Sequence, residues 1–119
     1  VMSKIKILFN ATNIIFIVLY LWPGSILGWL MYGKLNKQPQ LTSDFLSISS
    51  NHVYAFLVLS LLGLIAYYKS QKKIILYLTL SSILLEMSHI FIKHRSFQFD
   101  DLLGNMFGLL LSIILTSGL

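Results

Sequence analysis

Residues 74–92 read IILYLTLSSILLEMSHIFI, and this stretch decides the fold. At 1.5 Å per residue its 19 residues extend about 28 Å as a helix, close to the thickness of a bilayer's hydrocarbon core. Apolar side chains dominate it. The polar ones fall in phase: Thr79, Ser82, Glu86 and His89 step by three or four, and Lys93 continues the series. The pattern is that of a membrane-spanning helix with one chemically distinct face. Glu86 lies roughly 9 Å below the helix end. A bare carboxylate at that depth is costly, so it needs a partner, water or a proton. His89, Lys93 and Arg95 are the nearest candidates in the sequence.

Three further apolar runs lie around this one. The first covers 7–22; after Pro23-Gly24, a pair that ends or kinks a helix, 26–32 either continues it or lies at the interface, since Trp22, Trp29 and Tyr32 are interfacial belt residues. The second covers 52–68, and the last covers 101–119. Lys4 and Lys6 ahead of the first run resemble the start of a signal peptide. No small-residue cleavage site follows cleanly, so the run is expected to stay as the first span. The expected fold is an all-α membrane protein, a single transmembrane domain over 1–119 built as a four-transmembrane-helix bundle.

Composition agrees. Hydrophobic residues make up 56% of the 119 and charged residues 11%. A soluble domain carries about 25% charged residues, so lipid must solvate much of this chain. The net charge of +5 comes from short basic clusters between apolar runs, where headgroups attract them, and does not indicate nucleic-acid binding. The chain has no cysteine, which excludes disulfides, thiolate metal sites and a cysteine nucleophile. Lys4, Lys6, Lys69, Lys72 and Lys73 fall on one side of the four-span topology. Lys34, Lys37, Lys93 and Arg95 fall on the other. The majority side places both termini in the cytoplasm of a multi-pass cell-membrane protein.

The polar residues are then one-sided. Asn51 and His52 open the second span, Glu86 and His89 end the third, and Arg95 is in the next loop. Asp100, Asp101 and Asn105 open the fourth. All fall on the outer side. Asp101, Asn105, Gly108 and Ser112 share a helix face, and Gly104 with Gly108 forms a GxxxG that permits close backbone approach. A short loop makes the third and fourth spans antiparallel neighbours whose polar faces meet. The residues expected to bind a ligand are Glu86, His89, Arg95, Asp101 and Asn105. Glu86 and His89 are also the candidates for general acid–base chemistry. His52, Glu86, His89, His94 and Asp101 have metal-ligand chemistry. No fixed-spacing motif such as HExxH joins them, so neither a metal nor another cofactor is expected.

The C-terminal stretch resembles the VanZ-like family of small membrane proteins. That family's pattern of Glu, Gln three residues later, a loop Arg, then Asp, Asn and Gly appears here as Glu86, His89, Arg95, Asp101, Asn105 and Gly108. His89 replaces the Gln. An Asp-Lys-x-x-His-Phe pattern at the second span is reduced to the Phe of Asn51-His52-Val53-Tyr54-Ala55-Phe56. The resemblance implies a bacterial cell-envelope protein. Its name-giving member confers low-level teicoplanin resistance, and others resemble accessory proteins of surface-polysaccharide systems.

The leading expectation is therefore an envelope accessory protein. Its outer polar cluster would bind a membrane-lipid headgroup, a lipid-linked glycan precursor or a lipoglycopeptide antibiotic, with Arg95 holding an anionic group. The alternatives are a small structural subunit of a homo-oligomer or larger membrane complex, and an intramembrane lipid-modifying enzyme.

Overall fold

A computed structural model describes residues 2–22, 25–34, 36, 39–40, 42–44, 48–92 and 97–117. Five α-helices occur among them: α1 (Met2–Leu21), α2 (Ile26–Tyr32), α3 (Ser50–Ala66), α4 (Gln71–Ser88) and α5 (Phe99–Thr116). The described residues contain no β-strand. Single 3₁₀ turns, Tyr68–Ser70 and His89–Phe91, bracket α4. Three stretches are long and apolar enough to cross a membrane: Ser3–Leu21, Tyr68–Phe91 and Phe99–Thr116. The expected fourth, α3, is apolar but only 17 residues long, about 26 Å.

The ends of the helices differ from the apolar runs. α1 starts at Met2 instead of residue 7, because Lys4 and Lys6 stay exposed and cost the helix little. α3 and α5 each start earlier than expected, at Ser50 and Phe99. Asp100 and Asp101 then sit in the first turn of α5, where the helix dipole favours acids. α4 stops at Ser88, short of residue 92, and tightens into the 3₁₀ turn that carries His89. Pro23 and Gly24, between α1 and α2, lie outside the described residues.

α3 is the centre of the bundle, and α5 is its main partner. The GxxxG of α5 faces α3, not its sequence neighbour α4. A Cβ on Gly104 would lie 2.6 Å from the Ser49 carbonyl oxygen, and one on Gly108 would lie 2.5 Å from that of Val53. One turn further, the Ser112 hydroxyl donates to the Leu57 carbonyl at 3.0 Å. These contacts pair the start of α5 with the start of α3, so the two helices run parallel. α1 and α4 run antiparallel to them. Phe9 meets Tyr67 and approaches Gly63 at one end, and Tyr20 meets His52 and Asn105 at the other.

Phe9, Phe56, Leu59, Leu78 and Leu109 are buried between the helices. The outer surface is apolar too: Ile7, Ile14, Leu84 and Ile114 are each more than half exposed. Five exposed lysines gather at the end formed by the start of α1 and the α3–α4 turn, where Lys6 lies over the Tyr67 ring. The opposite end, formed by the close of α1 and α4 and the start of α3 and α5, carries the acids and histidines.

Candidate functional site

At that end, four helices each contribute a polar side chain to one cluster. α1 brings Tyr20, α3 His52, α5 Asp101 and Asn105, and α4 Glu86, with His89 in the turn that follows. Glu86, His89 and Asn105 are fully buried, while the His52 and Asp101 side chains are 15% and 20% exposed. Buried polar groups thus form the floor, and one imidazole and one carboxylate form the mouth.

Asn105 ties three helices together. Its Oδ1 accepts from the Tyr20 hydroxyl at 2.9 Å and faces His52 Nδ1 at 2.9 Å. An amide oxygen only accepts, so His52 Nδ1 carries the hydrogen. That leaves Nε2 with a lone pair, directed at Asp101 Oδ1 across 3.6 Å. Tyr20 packs edge-on to His52 and stacks on His89.

Glu86 and His89 form the second half. His89 Nε2 lies 2.7 Å from the Tyr20 backbone carbonyl, which can only accept, so Nε2 carries hydrogen. Nδ1 faces Glu86 Oε1 at 3.2 Å, and a bond there requires one more proton between the two atoms. His89 is thereby the hydrogen-bond partner of Glu86. This satisfies the sequence requirement that Glu86 have a partner or a proton. Oε1 also accepts from the Gln98 backbone N–H at 3.4 Å. The other oxygen, Oε2, is buried and has no hydrogen-bond partner among the described residues. Among the described residues, His52 Nδ1 lies 4.0 Å from it.

Of the expected ligand-binding residues, Glu86, His89, Asp101 and Asn105 converge here. Arg95, with Lys93 and His94, lies outside the described residues. Gly104 and Gly108 do permit close packing, but against α3. Two members of the cluster were not among the residues expected to bind a ligand, although His52 was among those with metal-ligand chemistry. Tyr20 carried no signal beyond being an aromatic near the end of a span. His52 was legible as a polar residue opening a helix, and its place became clear only from the parallel pairing of α3 with α5. Both His89 ring nitrogens are engaged inside the protein.

The VanZ/LLP1 family model matches residues 4–119. No curated protein and no solved structure matches the chain.

Proposed function

We propose, from the premise that this chain belongs to the VanZ/LLP1 family, that it is a four-span cell-envelope protein that binds a sugar-bearing head carried on a lipid chain. Lipid-linked glycan precursors and lipoglycopeptide antibiotics share that chemistry. One observation carries the reading: Tyr20, His52, Glu86, Asp101 and Asn105 come from four helices to one end of an apolar bundle, with the exposed groups at the mouth. Carboxylates and an amide hydrogen-bond sugar hydroxyls well, and a lipid tail would lie along the exposed apolar flanks. In this reading α3 is the fourth span and the polar end faces outward. Arg95 takes the anionic part of the head.

The test is binding by the full chain in lipid nanodiscs. Titration with a polyprenyl-linked saccharide and with teicoplanin separates the two sources. Glu86→Gln and Arg95→Ala should lose binding while expressing normally. In a susceptible bacterium they should also lose any protection against teicoplanin. Unaltered binding in both variants, or no binding of either probe by the wild type, would overturn the reading.

A further inference from the structure

The mouth of the cluster has more acceptors than donors. With Nδ1–H directed at Asn105, the neutral His52 ring presents a lone pair at Nε2. Asp101 Oδ1 lies 3.6 Å from that nitrogen, beyond direct hydrogen-bond range. Glu86 Oε2 is fully buried and has no hydrogen-bond partner among the described residues. One ligand atom from each of His52, Glu86 and Asp101 lies within 4.8 Å of the other two. A positive centre between these atoms would satisfy all three lone pairs at once.

We propose that His52, Glu86 and Asp101 bind a divalent transition-metal ion, with zinc the ion that their donor set suits best. One imidazole nitrogen and two carboxylate oxygens suit a borderline cation. Magnesium and calcium favour all-oxygen shells. Metal–ligand bonds of 2.0–2.2 Å at a tetrahedral angle place neighbouring donors about 3.4 Å apart. The His52–Asp101 separation of 3.6 Å nearly meets that. Closing the third donor from within 4.8 Å to that spacing takes a movement of up to about 1.4 Å.

Both buried supports that such sites need are in place. Asn105 accepts from the far nitrogen of His52 and so fixes its tautomer and ring orientation. His89 and the Gln98 N–H hold the other oxygen of Glu86. Three protein ligands leave a fourth position toward the mouth, where Asp101 and His52 are part-exposed. The ion does not depend on the headgroup reading, because the three side chains suffice to hold it.

The experiment uses the full chain in nanodiscs, stripped with a chelator and titrated with zinc chloride alone. The expected result is one zinc per chain, with X-ray absorption showing a single imidazole among oxygen donors. Loss of an outer-shell partner weakens such sites about 10–100-fold, so His52→Ala and Asp101→Asn should each weaken binding beyond that. Asp44→Asn, a change of a loop carboxylate outside the cluster, should leave it unchanged. No zinc bound by the wild type at micromolar free ion overturns the proposal. So does binding that survives both cluster substitutions, or a bound zinc without imidazole scattering. The spectrum of the wild type decides the matter even if a variant misfolds. Zinc bound with no glycan or antibiotic binding would reject only the headgroup reading.

Discussion

Gly108→Ala tests the contact on which the arrangement of the cluster depends. The added methyl would sit 2.5 Å from the Val53 carbonyl oxygen and 2.8 Å from the Leu57 nitrogen, both backbone atoms that cannot rotate away. An ordinary carbon–oxygen contact is about 3.3 Å or more, so α3 and α5 must separate by roughly 1 Å. The Ser112 bond to the Leu57 carbonyl, now 3.0 Å, would stretch beyond hydrogen-bonding range. Overpacking costs about 1–3 kcal/mol, and a lost interhelical bond in lipid about 0.6–2 kcal/mol. The expected destabilisation is therefore roughly 2–4 kcal/mol.

Two other glycines calibrate it. A Cβ on Gly63 would press mainly on the Phe9 ring and the Ile74 methyl, side-chain atoms that can shift, so Gly63→Ala should cost less. Gly33 has φ +69 and nothing within 4 Å, so Gly33→Ala should cost only the left-handed backbone penalty, about 1–2 kcal/mol. Steric trapping in bicelles, or reversible unfolding in mixed micelles, measures all three. Gly108→Ala within about 0.5 kcal/mol of wild type would refute the parallel, close-packed α3–α5 pair.

Asn105→Ala removes the acceptor shared by Tyr20 and His52 and should destabilise the bundle by about 1–3 kcal/mol in the same assay. Asn105→Asp keeps an acceptor oxygen there and should recover His52 ring ordering, read from imidazole NMR. The absence of cysteine allows single-cysteine labelling. If α3 spans the membrane, Asp44→Cys and Lys72→Cys react with an impermeant maleimide from opposite sides, and labelling from one side would remove the fourth span. Trp29 on α2 is 56% exposed. Its fluorescence should be quenched most by a headgroup-level quencher if α2 lies at the interface, and least if α2 is submerged.

Much of the bundle was legible because lipid imposes a simple demand: long apolar runs must be helices that satisfy their own backbone. Residues 74–92 stated this directly; of the in-phase polar series, Ser82 and Glu86 on α4 and His89 in the following turn are buried, Thr79 is half-buried, and Lys93 lies outside the described residues. Local pattern could not say where α4 ends. Its last turn is set by His89 bonding the Tyr20 carbonyl, 69 positions away. Nor could it say which helix receives Gly104 and Gly108. Adjacency in sequence favoured α4, and small-residue packing along parallel helices chose α3. The meeting of His52, Glu86 and Asp101 was hidden for a related reason. Motif spacing detects ligands on one element, and these three come from three helices.

The parallel pairing of α3 with α5 also sets an order of assembly. α5 is the last of these helices to leave the ribosome, yet it carries the small-residue face that α3 packs against and the amide that orients His52. Until it inserts, α3 has an unfilled flank, and the nascent chain holds Glu86 and His52 without Asp101 or Asn105. The site therefore forms only when α5 inserts, and a chain halted after α4 would present the membrane with a half-built polar cluster that quality-control proteases could recognise.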